Sequence, residues 1–213
     1  MTKETMTVHK ALAELKTIDK RIEKAISDGF FCEIKKHSAE KVSGMTEDEL
    51  NKRIQSNYDK VKDLIDRRSA LKKAVVQSNS VTKVKIGDSE YTVAIAIEMK
   101  NHGVDLLEAF LRKMESNYSV CKAKIESENG ESLEKQADSF VTGLYGNKDG
   151  KVNATEIEKL KEDYIKSNQF ELIDPINISE KISETEAWIA DFSSEVDAAL
   201  SVSNALTEIT IEY

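Results

Sequence analysis

Apolar residues at heptad spacing, in segments almost free of proline, constrain this chain more than any other feature. Val8, Leu15 and Ile22 stand seven apart, as do Ala11, Ile18 and Ala25. A second segment has Leu50, Leu64 and Leu71 in one row and Ile54, Val61 and Val75 in another. A third sets Leu107, Met114 and Cys121 beside Leu111, Tyr118 and Ile125. A side-chain period near 3.5 lays helices along one another in long seams. The 213 residues include 1 proline and 8 glycines, the two types that most disfavour helix interiors. The expected fold is mainly α: a long antiparallel, coiled-coil-like helical hairpin or bundle, with a small β-hairpin and a C-terminal strand.

Local signals divide that body. The first helix is expected over residues 5–28, ended by Gly29 in the left-handed conformation that glycine adopts readily after a helix. Residues 30–44 form a connector with an apolar patch, Phe30-Phe31-Cys32-Glu33-Ile34. Thr46 followed by Glu49 reads as a capping box opening a second helix that runs to about Gln77. Two polar residues interrupt its seam, Asn57 and Arg68. They either fix register or meet water where the pairing splays. Thr82-Lys83-Val84-Lys85-Ile86 alternates, Gly87-Asp88-Ser89 turns, and Glu90-Tyr91-Thr92-Val93 returns, the pattern of a β-hairpin. Thr92 then caps a third helix that reaches about Glu128 and is bent or interrupted at Gly103. Shorter helices are expected over 133–144 and 155–166. Asp174-Pro175 marks a boundary, because proline moves the residue before it away from helix. A last helix carries Ile178, Ile182, Ile189, Phe192, Val196 and Ala199, and Ser203 with Asn204 breaks it. The tail, 206–213, alternates Ile209, Ile211 and Tyr213 and needs a strand partner, either the hairpin at 82–93 or a neighbouring subunit. The expected divisions are 1–128, a helical hairpin with the β-hairpin; 129–175, an irregular helical insertion; and 176–213, a helix and strand packing back on the first part.

Composition limits the function classes. A formal charge of −8 argues against a general nucleic-acid binder and against simple attraction to an anionic membrane. No stretch approaches the 18 or so apolar residues of a membrane-spanning helix, and residues 1–9 lack a signal-peptide core. A cytoplasmic location, in the host or in a virion, is the expectation. The 2 cysteines, Cys32 and Cys121, read as reduced thiols, with Cys121 packed in a seam as a small apolar residue.

Candidate chemistry is sparse. Asn147-Lys148-Asp149-Gly150-Lys151-Val152-Asn153 with Glu156 is spaced like a calcium-binding EF-hand loop. Gly150 falls at its turn position, and Asn147, Asp149, Asn153 and Glu156 fall at ligand positions. Tyr145 occupies the first ligand position, where a carboxylate is needed. The expectation is therefore no metal, with a polar turn that caps the next helix. His9, His37 and His102 have no metal-ligand spacing. No nucleophile elbow or phosphate-binding glycine loop occurs. Arg67 and Arg68 with Lys72 and Lys73 form a basic patch, suited to a phosphate-bearing ligand or, more simply, to pairing along the helix with Asp63 and Asp66. Trp188 beside Ile189 and Phe192 reads as a packing anchor.

Two stretches carry a family resemblance. One is Thr82-Lys83-Val84-Lys85-Ile86-Gly87 leading to Tyr91-Thr92-Val93-Ala94, with Ala96 and Ile97, set between helices of heptad pattern. The other is Ser203-Asn204-Ala205-Leu206-Thr207-Glu208-Ile209. With the N-terminal heptads they resemble the small phage- and bacterium-encoded proteins labelled septicolysin-like. The resemblance covers about half of the chain. It implies a helical hairpin with a small β element that assembles as an oligomer, and none of its motifs is catalytic. The chain departs from that family at Ile95, where relatives often place an acidic residue, and 130–174 looks like an addition. The functional expectation is a non-enzymatic, homo-oligomeric interaction or structural protein, encoded by a phage or mobile element. Two alternatives stand beside it: an accessory protein that sequesters a small charged ligand or inhibits a host defence protein, and a membrane-active lysin.

Overall fold

The computed structural model describes residues 2–146 and 154–213. Helix takes 74% of the described residues, where about a third is ordinary. In chain order the elements are β1 (Lys3–Thr7), α1 (Val8–Asp28), β2 (Lys41–Val42), β3 (Met45–Thr46), α2 (Glu47–Val81), β4 (Lys83–Ile86), β5 (Ser89–Thr92), α3 (Val93–Glu98), a π-helical turn (Met99–Gly103), α4 (Val104–Asn129), α5 (Glu131–Tyr145), α6 (Ala154–Asn168), α7 (Ile178–Leu206) and β6 (Glu208–Glu212). The chain divides into two units. One holds Met1–Gly103 with Asp191–Tyr213, the other Val104–Ala190. The divisions expected at 128/129 and 175/176 fall instead inside the second unit.

In the first unit α1 and α2 form the expected antiparallel hairpin. Glu14 meets Arg67, Asp19 meets Arg68, and the carbonyl of Phe30 meets Asn57. The rows predicted from heptad spacing supply the core: Val8, Ala11 and Ile18 of α1 pack with Leu71 and Val75 of α2. The capping box at Thr46 and Glu49 is formed in both directions, and Thr92 caps α3 by accepting from the Ile95 amide. The hairpin β4–β5 closes through a two-residue turn, Gly87-Asp88, with Gly87 at φ +58°. Its inward residues Val84 and Ile86 are buried, as are Val93, Ala96, Phe192 and Val196.

Several expectations are corrected. The tail strand does not pair with the hairpin at 82–93. β6 pairs antiparallel with β1, with Met6 opposite Ile209 and Lys3 opposite Glu212. The β1 segment, Lys-Glu-Thr-Met-Thr, has a single apolar residue and so shows no two-residue period of its own. Its strand form is fixed by Ile209 and Ile211 across the ladder. The first helix consequently begins at Val8, where Thr7 caps it by accepting from the Lys10 amide at 3.3 Å. Gly29 is extended, at φ −82° and ψ 146°, and not left-handed. A Cβ there would lie 2.8 Å from the Ala25 carbonyl oxygen and 2.9 Å from the Phe31 ring, so space and not φ calls for glycine. Ser203 and Asn204 do not break α7, since their lower helix propensity is a few tenths of a kcal/mol and Ala205-Leu206 continue the run. α2 likewise runs on to Val81. The connector holds a small ladder, β2–β3, turned through Ser43 and Gly44 at positive φ. Gly103 ends a π-helical turn and does not end the helix.

The second unit is built on α4, α5, α6 and the first part of α7. Its buried residues include Met114 of α4 and Leu133, Ala137 and Val141 of α5. Phe140 stacks on Tyr164 with ring centroids 4.7 Å apart, and Lys161 reaches Asp138 at 2.7 Å. The Asn129 side-chain amide grips the backbone of Phe170 through both its N–H and its carbonyl, each at 2.7 Å. Cys121 is exposed here and does not pack in a seam. A straight helix drifts about 20° per heptad against a strict seven-residue repeat. That drift carries the Leu107, Met114, Cys121 row from half-buried through buried to exposed.

Candidate functional site

The basic patch of α2 is the most structured polar cluster among the described residues. Arg67 is only 18% exposed and donates to two elements and the C-terminal tyrosine at once. Its Nε and Nη2 fork onto Glu14 of α1 at 2.5 and 2.8 Å. Nη1 reaches Glu4 of β1 at 2.9 Å and the Tyr213 hydroxyl, and the guanidinium lies 5.1 Å from the Tyr213 ring centre. The hydrogen bonds from Arg67 hold the Glu4 and Glu14 carboxyls below their usual range, and the same bonds raise Arg67. Arg68 pairs with Asp19 and lowers that carboxyl in the same way. The pairing expected along α2 with Asp63 and Asp66 is not formed by these arginines; Asp66 takes Lys62 at 3.0 Å instead. Sequence reasoning missed Glu4, Glu14 and Asp19, because Glu14 lies 53 residues from Arg67 and only the hairpin brings them together. With Nε, Nη1 and Nη2 all donating within the fold, Arg67 ties β1, α1, α2 and the tail together and is spent as a structural tie.

Beside this tie runs a groove of about 750 Å³ with His9, Lys16, Arg68 and Lys72 on its walls, and Asp19 as its acid. It is a cationic surface on a chain that is acidic as a whole. Asn57, one of the two polar intrusions, is spent inside the hairpin, donating to the Phe30 carbonyl at 3.0 Å.

Of the calcium candidates, Asn147, Asp149 and Asn153 lie outside the described residues. Tyr145 closes α5 and Glu156 lies in the first turn of α6. Among the described residues no group of three or more His, Cys, Asp or Glu could hold a metal ion. His9, His37 and His102 are all exposed, and Trp188 is half-buried on α7. No described helix is long and apolar enough to cross a membrane.

α4 leaves much of its apolar surface uncovered. Of its 26 residues only Met114 is buried. Leu106, Phe110 and Val120 are 72%, 57% and 65% exposed. At 100° per residue these three fall within an arc of about 80°, next to the half-buried stripe of Leu107, Leu111, Tyr118 and Ile125. The exposed Cys121 borders the same arc. The heptad pattern showed the inner stripe; the outer one has irregular four- and ten-residue steps that no simple repeat marks.

Compared with protein-family models, with curated proteins and with solved structures, the chain matches none.

Proposed function

We propose that this is a non-enzymatic interaction protein that assembles with copies of itself. The observation that supports this is the outer stripe of α4. An amphipathic helix normally carries one apolar stripe against its own core. α4 carries a second, and Leu106, Phe110 and Val120 face water in a single copy of the chain. Apolar surface of this kind, with an aromatic among its residues, is what self-complementary interfaces bury. Light scattering on the full chain at tens of micromolar should report a mass above that of one chain. Phe110→Glu should lower that mass without loss of helix content. A monodisperse monomer for the unsubstituted chain overturns the proposal.

The groove of His9, Lys16, Arg68 and Lys72 favours a second reading, capture of a small multivalent anion. Titration calorimetry with inorganic pyrophosphate tests it. Binding that is lost on Lys16→Glu with Lys72→Glu supports it, and no heat at millimolar ligand discards it.

A further inference from the structure

β4 carries an unused edge. The Gly87-Asp88 turn has two residues, so Ile86 with Ser89 and Val84 with Tyr91 are the pairs that exchange backbone hydrogen bonds. The Val93 amide donates to the Thr82 carbonyl at 2.9 Å, in the same phase. The N–H and C=O groups of Lys83 and Lys85 therefore point away from β5. β4 has no second strand partner among the described residues.

Beside that edge lies a groove of about 640 Å³, whose opposite wall is the end of α7: Ala198, Val202 and Leu206, with Glu195, whose carboxylate is already engaged by the Gly87 amide at 2.7 Å. Val202 and Leu206 are 58% and 77% exposed. The groove thus pairs unsatisfied backbone groups with an apolar helix face, the two things an extended peptide can use at once. A strand laid along β4 would present alternate side chains to two faces. Those on the face of Val84 and Ile86 would meet the apolar wall. Those on the other face would lie beside the ammonium groups of Lys83 and Lys85. Lys83 already has Glu90 at 2.6 Å, whereas Lys85 has no carboxylate partner among the described residues. A second copy of β4 is the wrong guest, because it would set lysine against lysine across the new ladder, and edge lysines oppose such self-pairing.

We propose that the β4 edge and the α7 groove capture, by strand addition, an extended segment of another protein in which acidic and apolar side chains alternate. This surface lies in the first unit and does not depend on self-assembly through α4.

The probe is a fluorescein-labelled octapeptide of alternating glutamate and valine, titrated with the full chain and followed by anisotropy. Saturable binding that weakens with salt is expected, with at least tenfold weaker binding of a lysine–valine peptide. Lys85→Pro removes an outward N–H while keeping an extended backbone, a substitution that edge strands tolerate. It should weaken binding at least tenfold. Val202→Glu, at an exposed helix position, should do the same and serves if Lys85→Pro disturbs the hairpin. Phe110→Glu should bind the peptide as the unsubstituted chain does, which separates this test from that of assembly. No saturation at millimolar protein, equal affinity for the two peptides, or indifference to both groove substitutions overturns the proposal. A fall in oligomeric mass on Lys85→Pro also overturns it, since a second copy would then hold the edge.

Discussion

Arg67 shows how one side chain can join segments far apart in sequence. Its fork onto Glu14 is bidentate, and its remaining donors serve Glu4 and Tyr213. Lysine keeps the charge but cannot make four directed contacts, so Arg67→Lys is not a conservative change here. Arg67→Lys should cost about 1–2 kcal/mol, a value reduced for partial exposure to solvent, read as a lower urea midpoint with an unchanged slope. The pH dependence follows from Glu4 and Glu14. Their folded carboxyls titrate below the unfolded value, so the stability they contribute is whole above about pH 4.3 and is lost as pH falls through the folded values. Melting temperature should drop on acidification below that point, and Arg67→Ala should flatten the drop. An unaltered acid limb in the alanine variant would remove the tie from the account. Tyr145 leads to a separate expectation. A phenol cannot replace the first carboxylate of a calcium loop, so calorimetry with calcium should find no micromolar site.

Among the elements, the tail strand is the one whose context the sequence conceals. Ile209, Ile211 and Tyr213 announce a strand, and β6 is one. Its partner was not legible, because Met6 is the lone apolar residue of Lys3–Thr7 and a single residue has no period. Ile211 is 1% exposed and packs in the same cluster as Val8, Ile18 and Leu71. Ile211→Ala should therefore cost about 2–5 kcal/mol, the range for truncating a packed isoleucine, and calorimetric melting checks it. A loss below 0.5 kcal/mol would mean the strand is dispensable. The helices were legible for the converse reason. Val8, Ala11, Ile18, Leu71 and Val75 repeat over many turns, and the caps Thr46 and Thr92 are spelled in the sequence. Helix ends were less so. Gly29 marks one in the sequence and in the fold, yet its reason is the close Ala25 carbonyl, which only three-dimensional structure shows. The partners of Arg67 and Arg68 stayed hidden because charge pairs on one helix and pairs across a hairpin leave similar local patterns.

For the molecule as a whole, the uneven distribution of burial should govern its dynamics. The first unit has a cluster drawn from β1, α1, α2 and β6, with Ala11, Ile18 and Leu71 all at 0% exposure. In the second unit, α6 buries no residue at all. Local opening costs least where few apolar contacts are broken. In hydrogen exchange, amides of α1, α2, β1 and β6 should therefore be the slowest, and those of α6 the fastest among the helices. α4 is the informative case, because the proposed assembly would change its protection. Alone, a helix with one buried residue, Met114, should open readily. If copies associate through Leu106, Phe110 and Val120, α4 protection should rise with protein concentration while α6 protection stays constant. Phe110→Glu should abolish that rise. Protection of α4 that is independent of concentration from sub-micromolar to tens of micromolar, in a chain that light scattering shows to be monomeric throughout, would leave the outer stripe without a role in assembly.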